Sequence, residues 1–114
     1  MEIVREHIAL DRLQEMAEHR FGDLVKAVVD VERGIMAVDA ELHSDQEATL
    51  LDDGSAQRAL WGINLYPADF GAESWIEFDS MINVRPSVGN RSRSVDDPAI
   101  RALIAEVVYR LVQP

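Results

Sequence analysis

Apolar residues recur along the chain with two periods, and each period marks an element. Between Leu10 and Phe21, the residues Leu10, Leu13, Met16, Ala17 and Phe21 fall three or four apart with charges between them. That spacing predicts an amphipathic helix, and Gly22 follows as its stop. From Leu24 to Glu32 and again from Ile35 to His43 the period drops to two. Arg33-Gly34 between them predicts a two-residue hairpin turn, with Val31 facing Met36, Val29 facing Val38, Ala27 facing Ala40 and Val25 facing Leu42. One face is then wholly apolar, and Lys26 lies opposite Glu41 on the other. A slip of one residue would lose both features.

Further along, Ser44-Asp45-Gln46-Glu47 reads as a capping box opening a short helix that ends near Asp52-Asp53-Gly54. Residues 55–59 make a further turn. Leu60 to Tyr66 predicts a third strand with Trp61, Ile63 and Leu65 on one face. Trp75 to Arg85 carries the longest alternation in the chain. Ile76, Phe78, Ser80, Ile82 and Val84 point one way; Trp75, Glu77, Asp79, Met81, Asn83 and Arg85 point the other. This predicts a half-buried antiparallel strand, ended by Pro86. Asp96-Asp97-Pro98 opens a last helix whose stripe is Ile100, Leu103, Ile104, Val107, Val108 and Leu111. Residues 2–5 fit a short edge strand. The expected fold is α+β: an antiparallel sheet of about four strands in two hairpins, two amphipathic helices packed on one face, and a short connecting helix. No linker or repeat divides the chain, so residues 1–114 are expected to form a single domain.

Several strings resemble a family of short, uncharacterised prokaryotic proteins. They are W-G-I-N-L-Y-P at 61–67, W-I-E-F-D-S-M-I-N-V-R-P at 75–86 and G-N-R-S-R at 89–93. V-V-D-V-E-R-G-I-M-A-V at 28–38, and E-L-H-S-D followed by D-G-S, are similar too. The resemblance covers nearly the whole chain. It implies a free-standing domain and brings no activity, cofactor or functional residue with it.

Charge narrows the partners. With 11 basic and 21 acidic residues the formal charge is −10. An acidic surface repels a phosphate backbone, so no nucleic acid is expected. The acidity serves solubility or a basic protein partner. No cysteine is present, which excludes disulfides, thiolate metal sites and a cysteine nucleophile. No apolar run reaches the length of a membrane span, and the start of the chain lacks a signal-peptide pattern, so a cytoplasmic location is expected. The charge is also uneven. From Ser80 to Val95 there is no acid, while Arg85, Arg91 and Arg93 fall there.

Two constellations of side chains are candidates for chemistry. The first is the polar sheet face, with Asp30, Asp39, His43, Asn64, Trp75, Glu77, Asp79 and Asn83. Crowded carboxylates there suit Mg²⁺ or Mn²⁺, or a general acid and base. A half-exposed antiparallel sheet needs a polar face in any case. Trp75, Met81, Val28 and Ile35 also alternate onto it. They suit a ligand groove or an interface, unless another segment such as the 86–95 loop covers them. The second is the basic loop, where Arg85, Asn90, Arg91 and Arg93 offer anion contacts or pair with the protein's own acids. No nucleophile motif accompanies the histidines. Whether the chain is an enzyme stays open. One expectation is a module that binds a protein partner or assembles as a homo-oligomer. The other is a small enzyme or sensor for an anionic ligand.

Overall fold

A computed structural model describes residues 1–114. Its strands are β1 (Glu2–Val4), β2 (Ile8–Ala9), β3 (Val25–Asp30), β4 (Ile35–Val38), β5 (Leu60–Leu65), β6 (Ile76–Glu77) and β7 (Val112–Gln113). The helices are α1 (Leu10–Arg20), α2 (His43–Asp52) and α3 (Pro98–Leu111). Five strands form an antiparallel sheet in the order β1-β4-β3-β5-β6, with β3 at its centre. β2 and β7 make a separate parallel pair.

The period-two pattern decides which residues enter the core. Val25, Ala27, Val29, Met36, Val38, Trp61, Ile63 and Leu65 leave one face of the sheet. There they meet Leu13, Met16 and Ala17 of α1 and Ile104, Val107, Val108 and Leu111 of α3. Both predicted amphipathic helices therefore lie on this face. The opposite face is covered too. Val28, Ile35, Ala37 and Leu60 form a second, smaller core with Leu50 of α2, and Ile82 packs against it. Apolar residues on a sheet's second face need such a cover. Here α2 and the turn around Ile82 supply it, in place of the 86–95 loop.

The first hairpin keeps its predicted faces but not its register. Val29 pairs with Met36, Ala27 with Val38 and Asp30 with Ile35, a slide of two residues from the expected pairing. The cause is Asp30. Its carboxylate accepts the Glu32 and Arg33 amides at 2.9 and 2.8 Å, and the Gly34 amide reaches the Asp30 carbonyl at 2.9 Å. A four-residue loop results. A slide of two preserves the facing of the paired residues, so their apolar set is unchanged, but Leu42, expected opposite Val25, leaves the strand and stands exposed at the start of α2. Lys26 no longer opposes Glu41: the Asp39 amide donates to its carbonyl at 3.3 Å.

α2 opens two residues earlier than the capping box requires. Leu42 is its N-cap, and no side chain caps it. Tertiary bonds fix the start instead. His43 Nε2 donates to the Ile63 carbonyl at 2.8 Å, and Gln46 Nε2 to the Lys26 carbonyl at 2.7 Å. The last helix starts as expected, with Asp97 accepting the Ala99 amide at 2.8 Å and Pro98 in the first turn.

The long strand from Trp75 to Arg85 does not form. Glu73–Trp75 is a 3-10 turn, and Trp75 lies in the main core, edge-on to Phe70 at 5.2 Å between ring centroids. β6 then ends at Glu77. Continuing its register would set Asp79 opposite Gly62 and Met81 opposite Leu60. Instead the chain turns inward at Ser80, whose side chain rests on Gly62; a Cβ on Gly62 would lie 2.5 Å from it. Met81–Asn83 is a 3-10 turn, with the Ser80 hydroxyl accepting the Ile82 amide at 3.2 Å. Side chains then occupy the places of the missing strand. Asn83 bonds both backbone groups of Gly62, and Arg85 donates to the Leu60 carbonyl at 2.7 Å.

Candidate functional site

Several of the residues singled out from the sequence hold the fold together. Asp30 makes the hairpin loop, and Trp75 fills the core. Asn83 Nδ2 also reaches the Arg93 carbonyl at 3.0 Å. Asn90 ties the next loop: its Nδ2 donates to the Asn83, Ser94 and Ser92 carbonyls at 2.8, 2.7 and 3.1 Å, while its Oδ1 accepts the Asp96 amide at 2.8 Å. Arg85 stacks its guanidinium 4.3 Å over the Trp61 ring and donates to the Gln57 carbonyl at 2.6 Å. Burial pushes its pKa down. Within the basic loop, Arg93 Nε meets Asp79 at 2.7 Å, and Arg91 is exposed with no carboxylate in reach.

Not all the polar-face carboxylates converge. Asn64 Nδ2 donates to Glu77 at 2.8 Å and to the Asp79 carbonyl at 3.3 Å, and the Tyr66 hydroxyl donates to Glu77 at 3.2 Å. Burial, then Glu77, raises the Tyr66 pKa. Asp39 lies apart from this cluster. It adopts a left-handed backbone, φ +68°, and its carboxylate meets Arg20 at 2.8 Å and the amino terminus at 4.0 Å. No three histidine, aspartate or glutamate side chains come together in a way that could hold a metal ion.

His43 opens the most distinctive concavity, a groove of about 160 Å³ between the first turn of α2 and the segment beyond β6. Lys26, Ser44, Ser80 and Arg93 line it, and Leu42 and Met81 stand at its rim, 54% and 64% exposed. His43 itself is only 8% exposed. The Ile63 carbonyl accepts from Nε2, which fixes the tautomer and leaves Nδ1 with no protein partner. Burial holds the ring's pKa below its ordinary value; Lys26 adds to that effect and the Ile63 bond opposes it. Lys26 is the only lysine in the chain. Its ammonium lies 5.4 Å from the centre of the Phe21 ring and forms no salt bridge. A larger, open hollow of about 520 Å³ surrounds Asp39, but there Arg20 and the amino terminus already answer the carboxylate.

Sequence reasoning used Lys26 only as a cross-strand partner and Ser44 only as a cap. One signal pointed to Lys26: a single lysine, among ten arginines, on the polar face of the central hairpin.

Fold and groove together define a small α+β domain, its antiparallel sheet covered on both faces, with one basic-lined groove in an acidic molecule. The chain belongs to the family described as Protein of unknown function (DUF5674), which it matches over residues 2–111. Membership of an uncharacterised family, as the resemblance implied, is thus supported. No curated protein and no solved structure matches the chain. No helix is long and apolar enough to cross a membrane.

Proposed function

We propose that this domain is a recognition module, and that its binding surface is the groove beside His43. One observation carries the reading. In this groove two exposed apolar side chains, Leu42 and Met81, stand beside a cation without a carboxylate partner, Lys26, and a nearly buried histidine with a free ring nitrogen. Apolar contact area next to a few convergent polar groups is the usual make-up of a binding site.

Catalysis finds less support in the same residues. Ser44 and Ser80 lie near His43, but neither is hydrogen-bonded to the ring, and a backbone carbonyl rather than a carboxylate orients it. Glu77 and Asp79 are each held by neighbours.

The test is amide chemical-shift mapping of the full chain against a panel of small anions, small cations and short peptides. Shifts at residues 26, 42–44 and 80–82, with every ligand recovered unchanged after prolonged incubation, are expected. Shifts confined to other surfaces, or conversion of a ligand, would overturn the reading.

A further inference from the structure

The first turn of α2 lines the groove with Leu42, His43 and Ser44. Leu42 provides no side-chain cap, and the backbone amides of His43 and Ser44 find no acceptor in the protein. An uncapped helix start is a place where anions bind, because free amides and the positive end of the helix dipole coincide there. That feature is common and would not by itself make a site. Here a second observation points the same way. His43 is more than nine-tenths buried and lines the groove, and its Nδ1 has no partner. With Nε2 already donating to Ile63, a proton on Nδ1 would make the ring a second donor.

We propose that the floor of this groove is an oxyanion site for a phosphate monoester. The His43 and Ser44 amides, His43 Nδ1 and the Lys26 ammonium hold its oxygens, and the ester's organic group lies on Leu42 and Met81. This inference rests on the recognition reading above and names its ligand class. The size supports it. At about 30 Å³ per water, the groove holds roughly five waters, which is head-group size and well below a drug-sized pocket. The donors come from two segments, the first turn of α2 and β3, which meet at the groove. The apolar rim has no use for a bare inorganic ion, but suits an aryl or alkyl ester.

The charged and titratable groups around the His43 ring are Lys26 from β3 and Asp79 and Arg93 from the segment beyond β6. Asp79 is engaged by Arg93 at 2.7 Å, so these two largely cancel. Lys26 is left to balance the anion. A bound anion would favour the charged ring, so binding takes up a proton at His43 and raises its titration midpoint.

The experiment titrates phenyl phosphate, inorganic phosphate and benzoate into the full chain, followed by amide shifts and calorimetry. Phenyl phosphate should move the His43 and Ser44 amides, bind more tightly than either companion, and raise the His43 midpoint. Ser44→Asp places a fixed negative charge in the first turn of α2, which suits the helix and competes with the ligand. It should fold with an undiminished melting temperature and lose phenyl phosphate binding. Lys26→Gln should weaken binding about tenfold, the usual worth of one charge-assisted hydrogen bond. Equal binding by Ser44→Asp, equal affinity for benzoate, or an unmoved His43 midpoint would overturn the oxyanion site. If peptides or other ligands shift the groove while phenyl phosphate does not, this inference fails and the recognition reading stands.

Discussion

Asn83 takes the part of a neighbouring strand for Gly62: its side-chain amide donates to the Gly62 carbonyl at 2.9 Å and accepts the Gly62 amide at 2.8 Å. The residue is fully buried. Asn83→Ala leaves both Gly62 groups and the Arg93 carbonyl without that partner inside the protein. The expected cost is about 2–4 kcal/mol, since buried polar groups left unpaired are expensive. Urea unfolding of the two proteins measures it, as a lower midpoint with an unchanged slope.

Gly62 is required by what lies on it. A methyl group there would overlap the Ser80 side chain, so Gly62→Ala should destabilise the protein by about 1–3 kcal/mol through overpacking. Ser80→Gly removes the obstacle. Adding it to Gly62→Ala should recover part of the loss, although Ser80→Gly is itself destabilising. A double-mutant cycle by thermal unfolding tests this; strictly additive losses would contradict the packing account.

These two residues also show how far the sequence could be read. The alternation from Trp75 to Arg85 is a real period, but its register would have placed Asp79 against Gly62. A glycine at 62 and a serine at 80 let the chain fold over the sheet instead, and that choice depends on a contact between residues far apart in sequence. Asn83 and Arg85 look like ordinary outward polar positions until the strand they replace is seen to be absent. By contrast, the faces of the first hairpin were legible, because a slide of two residues leaves them intact. The slide itself was hidden in the local bonding of one side chain, Asp30. The groove was the least legible feature. It joins Lys26, His43 and Ser80, from three separate segments, and strand order alone brings them together.

Asp53 should govern the acid limb of stability. Hydrogen bonds from Arg5 and Arg33, at 2.7 and 2.8 Å, lower its pKa from 3.8 to about 2. A carboxyl with a depressed folded pKa stabilises the protein above its unfolded value and loses that contribution as pH falls through the folded one. Asp53→Asn should therefore be less stable than the parent near neutrality. The gap should close as pH falls from 3.8 to about 2. Melting temperatures across that range report it, and added salt should narrow the gap at every pH.

His43 should act at milder pH. Its folded pKa lies below the ordinary 6.5 because the ring is buried. The unfolded chain then binds more protons below that value, so stability is level above it and declines as pH falls beneath it. His43→Gln keeps an amide donor for the Ile63 carbonyl but cannot titrate. Its stability should fall less steeply as pH drops below 6.5. Denaturant unfolding at several pH values decides this; parallel curves for the two proteins would count against it.

The parallel pair of Ile8–Ala9 with Val112–Gln113 has a consequence for synthesis. A nascent chain orders its early segments first as it leaves the ribosome. Here an early segment cannot find its partner until nearly all 114 residues have emerged. The central hairpin, local in sequence, can close while translation continues. The clasp between Ile8–Ala9 and Val112–Gln113 therefore follows the hairpin rather than precedes it.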